Sequence, residues 1–365
     1  MAAVNPSSPQ PTLAPPDHAL VAETVRTKLP FRVELTKLSP LAGDASNRRY
    51  FRLELSGGPP PTLVLMQLAA PEAFKQSEEA VSGVQPITEL PFVNVLHHLV
   101  KAGVAVPALH YYDKTAGLLY LEDLGDVTLA EACVNATSRD TPDLYRQAID
   151  DLVRLHLRAT FPADPGCIAF GRAFDEPLLM WEFDHFIEYG IEKRASRLLP
   201  EEDRQAIRRE MRQIAELLAG QPRVFTHRDY HSRNLMVQGG RLRVLDFQDA
   251  LMGPASYDLA SLLRDSYLSL DEELIEELVI RYLEGRAKAG APLDRLTFMR
   301  LFDLTSIQRN LKAAGRFVYI EKEKHNDRYL QFVPRTLANV KRNLARYPEV
   351  AALRKRLTPY VPELQ

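Results

Sequence analysis

The stretch FTHRDYHSRNLMVQGGRLRVLDFQDA, residues 225–250, constrains this chain more than any other. Sequence just before it is amphipathic at helical spacing, as in EEDRQAIRREMRQIAELLAG, where Ile207, Met211, Ile214 and Leu217 recur on one face. The quoted stretch interrupts that pattern with short strand-like pieces around 223–226, 235–237 and 242–246. Asp229 and Asp246 stand at the ends of such pieces, so they can converge, and Asn234 follows Asp229 by five residues. One carboxylate to orient and deprotonate a hydroxyl, with an amide oxygen and a second carboxylate to hold Mg²⁺ on phosphates, is the set of groups phosphoryl transfer needs.

The rest of the chain supplies a setting for such a segment. RYFRLEL (49–55) alternates in period two, with Phe51, Leu53 and Leu55 on one face and Tyr50, Arg52 and Glu54 on the other. TLVLMQL (62–68) reads as an apolar strand, TELPFVNVLHHLVKAG as a helix stopped by Gly103, and two more strands are expected near 108–112 and in GLLYLEDLG (117–125). Beyond 125 the chain turns helical. The expected fold class is therefore α+β. A Pro- and Ser-rich disordered leader (1–17) precedes a small β-rich lobe (18–124) and a larger helical lobe (125–365). A cleft between lobes is a usual place for a ligand.

Composition excludes several classes. Charged residues make up 26% and the formal net charge is -2, so no global basic balance points to nucleic acid. Cys133 and Cys167 alone make no disulfide framework and fit a reducing compartment. No run is apolar and long enough to span a membrane, and the leader lacks the apolar core of a signal peptide. The expectation is a cytoplasmic protein with no nucleic-acid, membrane or obligate protein partner. The basic tail RTLANVKRNLARYPEVAALRKRL reads as a solvated helix face.

HRDYHSRN (227–234) has the H-R-D-x-x-x-x-N form of the kinase catalytic loop, and DFQ (246–248) stands where kinases carry D-F-G. The segment resembles the protein-kinase-like phosphotransferases, and Gln248 in place of glycine is similar to the aminoglycoside phosphotransferase branch. SYDLA (256–260) also resembles that superfamily, whose matching aspartate braces the catalytic loop. The resemblance implies a two-lobe protein-kinase-like fold, ATP and Mg²⁺, Asp229 as general base, and Asn234 and Asp246 as Mg²⁺ ligands. GDASNRRYFRLEL, PFVNVL, LEDLG, HRDYHSRNLM, LDFQDALMGPASYDLASLLRD and QRNLKAAGRF narrow it further. Together they look like the anomeric sugar kinases of bacterial cell-wall recycling, which phosphorylate the C1 hydroxyl of N-acetylmuramate and N-acetylglucosamine. The resemblance covers about 40–320 and implies an amino-sugar acceptor.

The sequence departs from protein kinases in its first lobe. The G-x-G-x-x-G loop is replaced by LAGDASNRR, where Gly43, Asp44, Ala45 and Ser46 are small enough for backbone N–H groups to approach phosphate, or simply to make a hairpin turn. Met66 stands near the position of the third-strand lysine. Arg49 shares parity with Phe51 and so points to the inner face, which makes it the candidate replacement cation; a solvated strand-start arginine is the alternative. By the resemblance, adenine would bond main-chain groups around Glu122 and Leu124. His231 and Arg233, inside the catalytic loop, would touch the acceptor sugar or simply be solvated, and Arg309 would meet a substrate carboxylate or be a buried structural arginine. Glu89 and Glu182 read as surface charges, and Trp181, His97, His98 and His156 as core positions. The competing functions are a kinase of glucosamine, an aminoglycoside, choline or homoserine, which a strongly acidic acceptor pocket would favour for the cationic acceptors, and a nucleotide-binding pseudokinase.

Overall fold

The computed structural model describes residues 14–41, 48–69, 89–135 and 140–365. They divide into two compact units, 14–69 with 107–123, and 89–106 with 124–365.

The first unit opens with helix α1 (His18–Thr27). Asp17 caps it, accepting bonds from the N–H groups of Ala19 at 2.7 Å and Leu20 at 3.3 Å. Five antiparallel strands follow: β1 (Glu34–Pro40), β2 (Arg49–Ser56), β3 (Thr62–Gln67), β4 (Leu109–Asp113) and β5 (Leu118–Glu122), in the spatial order β1-β2-β3-β5-β4. The period-two pattern of RYFRLEL holds. Phe51 and Leu53 bury with Leu63, Leu65, Leu118 and Tyr120 under Val21, Val25 and Leu29 of the α1 segment. Strand β1 was not expected, because ELTKLSP is a largely exposed edge strand with a bulge between Leu35 and Lys37, so it carries little apolar alternation.

The end of the supposed leader is part of this unit. Pro16 is buried, and the Ala14 carbonyl accepts a bond from Gln67 Nε2 at 3.0 Å. Residues 1–13 lie outside the described residues. Loss of an N-cap side chain costs about 1 kcal/mol, so Asp17→Ala should lower the denaturant midpoint accordingly. Deletion of 1–17 should cost more, since it also removes the partner of Gln67. An unchanged melting temperature after that deletion would show that the segment contributes nothing.

The second unit takes in α2 (Pro91–Lys101), which follows β3 in the chain. Asn94 fastens it, donating to the Gly166 carbonyl and accepting from Ile168 N–H, both at 2.9 Å. His98 is buried and bonds the Ala159 carbonyl at 2.7 Å, whereas the His97 side chain is largely exposed. The chain continues through α3 (Leu129–Asn135), α4 (Asp140–Arg158), α5 (Glu176–His185), a π-helical stretch (Phe186–Lys193) and α6 (Glu201–Ala219). Four short strands come next: β6 (Arg223–Thr226), β7 (Leu235–Gln238), β8 (Arg241–Val244) and β9 (Leu251–Pro254). Helices α7 (Ser256–Leu263), α8 (Glu272–Lys288), α9 (Arg295–Lys324), α10 (Val333–Arg346) and α11 (Ala351–Leu357) complete it. The fold class is α+β, as expected.

The thirty-residue α9 is the axis of this unit's core, with Leu304, Ile307, Leu311 and Ala314 packed among Phe183, Phe186, Ile214, Leu337 and Val340. Gly315 is required where α9 meets the π-helical stretch: a Cβ there would stand 2.8 Å from Phe186 Cα. The basic tail is half core, with Leu337, Val340 and Leu344 of α10 inside and its charged side chains outward. Trp181 is not a core residue. It is 36% exposed and stacks on His185, one helical turn away, at 5.5 Å.

Candidate active site

Two antiparallel strand pairs build the site. β6 pairs with β9, and β7 pairs with β8 across a two-residue Gly239-Gly240 turn. Both glycines have positive φ, 57° and 75°, the conformation a tight hairpin of that length demands. The hairpin explains a spacing that the sequence leaves unexplained. Leu235 faces Val244, so Asn234 and Leu245 are the next pair, joined by Leu245 N–H to the Asn234 carbonyl at 2.9 Å. Asn234 and Asp246 therefore flank the open end of one hairpin.

Asp229 lies in the connection from β6 to β7. That loop is held by side chains from several helices. Asp258 on α7 accepts the N–H of His227 at 2.7 Å and of Arg228 at 2.9 Å. Asp265 accepts both Ser232 N–H (2.9 Å) and Ser232 Oγ (2.5 Å). Asn234 Nδ2 donates to the Asp229 carbonyl at 2.9 Å, and His227 Nε2 donates to the Leu245 carbonyl at 2.8 Å, tying the loop to the end of β8. Arg228 is fully buried with φ of 80°, an unfavourable backbone conformation for a residue with a Cβ. Its Nη2 pairs with Glu182 Oε1 at 3.0 Å, and Glu182 Oε2 also accepts from Gln308 at 2.7 Å. Glu182 is thus no surface charge. It is wholly inside, anchoring the residue before Asp229, while Glu89 is half-buried and accepts from Asn94 at 3.3 Å.

The Asp229 carboxylate faces cations. Lys312, on α9, brings its Nζ to 3.8 Å from Asp229 Oδ1. Burial alone would push the Asp229 pKa up; Lys312, then His231, Arg228 and Arg309, outweigh it and hold the carboxyl well below its usual range. His231 lies beside it, and burial lowers its own pKa to about 4, so this ring carries charge only in acid. Arg233 lies over Tyr267 at 3.9 Å and Phe332 at 4.9 Å. Arg309 is buried and donates from Nε to Ser261 Oγ at 2.9 Å. Lys312 was missed by sequence reasoning. The only available signal was its place three residues after Arg309, on the same helix face.

Residues 37–292 match the model of the phosphotransferase enzyme family (APH). The chain belongs to that family. Among its curated relatives, the N-acetylmuramate/N-acetylglucosamine kinase of Neisseria meningitidis is 34% identical over 86% of this chain and 87% of its own. Those of Pseudomonas putida (32%, 87% and 86%) and Caulobacter vibrioides (30%, 88% and 91%) carry the same name. Solved structures with the same fold include choline kinase LicA from Streptococcus pneumoniae, with a TM-score of 0.58 and 17% identity over 90% of this chain and 99% of that one. An ADP-bound aminoglycoside phosphotransferase, APH(2'')-Ib, also scores 0.58, at 14% identity over 92% and 99%. The fold is protein-kinase-like.

In this phosphotransferase the pair Asn234 and Asp246 suits a Mg²⁺–nucleotide. The Asn234 amide nitrogen is used on the Asp229 carbonyl, which leaves its oxygen for a hard cation. Asp246, at a left-handed φ of 61°, accepts from Gln248 Nε2 at 2.8 Å on Oδ1. Among the described residues no group of three or more His, Cys, Asp or Glu side chains could hold a metal. Two protein groups are what Mg²⁺ takes when phosphates and waters complete its octahedron.

The remaining expected site residues of the phosphotransferase come from the first third of the chain. Gly43, Asp44, Ala45 and Ser46 lie outside the described residues. Glu122 ends β5, with its N–H used by the Ala108 carbonyl at 2.9 Å. Leu124 is buried, and its main chain makes no hydrogen bond among the described residues. Arg49 opens β2 and does share the face of Phe51, with its guanidinium 5.2 Å from that ring. However, this is the face under α1. Arg49 pairs with Gln67 and Tyr50 with Met66, so Met66 shares the opposite face with Tyr50 and Arg52. Parity therefore does not put Arg49 and position 66 on one face. The face that parity gives Arg49 is therefore the one packed under α1, opposite position 66. Arg52, on the Met66 face, forms a two-pronged pair with Asp123 at 2.7 and 3.0 Å.

His156 is a core residue, as expected, and it supports the loop indirectly. It bonds Tyr282 Oη at 2.7 Å and Asp258 Oδ2 at 3.1 Å. Burial lowers its pKa from 6.5, with the Asp258 carboxylate partly opposing. An unfolded chain protonates this ring below about pH 6.5 while the folded one does not, so stability is lost as pH falls through that window. The denaturant midpoint should drop more steeply between pH 7 and pH 5 in the wild type than in His156→Gln. Equal slopes would remove His156 as a source of acid sensitivity.

Proposed function

We infer that this chain transfers the γ-phosphoryl group of ATP to the anomeric hydroxyl of N-acetylmuramate or N-acetylglucosamine, giving a sugar 1-phosphate in cytoplasmic cell-wall recycling. The curated relatives with that name support it. The observation that carries it is the charge around Asp229: Lys312 at 3.8 Å, with Arg228 and Arg309 also acting on it, and the acids Glu182 and Asp265 both engaged by protein donors. Choline and aminoglycoside acceptors are cationic and call for an acidic pocket; a neutral or acidic sugar does not.

In this reading Asp229 orients the C1 hydroxyl and accepts its proton as the oxygen attacks phosphorus. The neighbouring cations keep the carboxylate ionised and so able to accept that proton. Asn234 and Asp246 would hold Mg²⁺, which when bound neutralises charge on the phosphates. The main chain at Leu124 and Glu122 would meet adenine, and residues 43–46 would approach the phosphates. His231, Arg233 and Arg309 would line the acceptor side.

A panel of sugars, choline and an aminoglycoside, with Mg-ATP, ADP readout and NMR assignment of the phosphorylated carbon, tests the assignment. Turnover with cationic acceptors alone would replace it, and no turnover at all would leave a nucleotide-binding pseudokinase. Asp246→Ala should abolish Mg²⁺-dependent ATP binding while affecting metal-free binding much less. Calorimetry with and without Mg²⁺ that shows equal losses would remove Asp246 as a metal ligand.

A further inference from the structure

Helix α9 carries Arg309, Lys312 and Arg316 at spacings of three and four residues, so the three cations form one stripe. The stripe starts at the reacting centre, where Lys312 is 7% exposed and lies beside Asp229. Arg309 is 5% exposed, and its Nη1 has no hydrogen-bond partner among the described residues. An unmade bond on a buried guanidinium is costly, and native proteins keep such groups where something else completes them. Arg316, one turn further along, is half-buried with its guanidinium 4.6 Å from the Tyr319 ring. No Asp or Glu occurs on α9 from 304 to 320.

We propose that Arg309, Lys312 and Arg316 form an anion-binding strip in the acceptor site, which grips the carboxylate of an acidic amino sugar. The proposal rests on the sugar-kinase function above and goes further, since it separates the two sugars. N-acetylmuramate carries a carboxylate on an ether substituent where N-acetylglucosamine carries a hydroxyl. Asp229 marks the reacting hydroxyl. Arg316 lies about 6 Å along the helix axis from Lys312, a step on the scale of a sugar ring. Its planar fork can take a carboxylate through two parallel bonds.

The test compares kcat/KM for the two sugars in the wild type, Arg316→Met and Arg316→Lys. A lost charge-assisted bond should lower the N-acetylmuramate to N-acetylglucosamine ratio on the order of ten- to hundred-fold in Arg316→Met, mainly through KM. Arg316→Lys should recover part of it. The wild type given the carboxamide of N-acetylmuramate should show a loss of the same order, which needs no variant to fold. An unchanged ratio in Arg316→Met, or equal turnover of the acid and its amide by the wild type, overturns the strip alone. A wild type inactive on both sugars overturns the sugar-kinase function with it.

Discussion

Asp229→Asn should lower kcat by about 10²- to 10⁴-fold, the range for loss of a general base, with little change in the sugar KM. The loop would keep its shape, because what holds it is main chain and neighbouring side chains. Asn234 binds the Asp229 carbonyl, Asp258 the N–H groups before it, and Asp265 the residue three positions after it. The substitution changes only the carboxylate that faces Lys312, the proposed proton acceptor. Steady-state ADP release, with thermal unfolding as a check on folding, measures it. Near wild-type turnover would remove Asp229 as the proton acceptor and leave positioning by Lys312, Asn234 and Asp246 to explain the rate.

Glu182→Ala should be the most destabilising single change near the site, by about 3–5 kcal/mol, the usual result of breaking a buried ion pair from one side. Both side chains of the Arg228–Glu182 pair have no solvent exposure. The alanine also takes the acceptor from Gln308 and Tyr257. Arg228 directly precedes Asp229 and holds a left-handed backbone, so kcat should fall as well as the denaturant midpoint. Glu182→Gln, which keeps an acceptor of the same shape, should cost less. A loss below about 1 kcal/mol in Glu182→Ala, inside the range of ordinary surface changes, would mean that Arg228 finds another partner.

Glu182 shows where sequence reasoning stops. A glutamate in LLMWEFDHF gives no local sign that it is buried, since its partner lies forty-six residues away and is brought to it only by packing of α5 and α9 around the catalytic loop. Lys312 is the same case. Its distance to Asp229 depends on where a long helix ends up, not on any spacing between them. Arg49 is a different case. Period-two alternation correctly sorted β2 into two faces, but alternation cannot say which face a helix covers, and α1 covers the apolar one.

The sequence by itself determined the α+β class and the positions of most strands and helices, and it singled out Asp229, Asn234 and Asp246 as the candidate set. Those features are local: side-chain periodicity follows backbone geometry, and a short loop with its hairpin keeps its chemistry within some twenty residues. The tertiary structure alone decided that Asn234 and Asp246 flank the open end of one hairpin, that Asp258, Asp265 and Glu182 brace the loop, and that Asp229 lies among cations. These are long-range matters, because a charge's effect depends on which distant charges packing sets beside it and how much water it excludes.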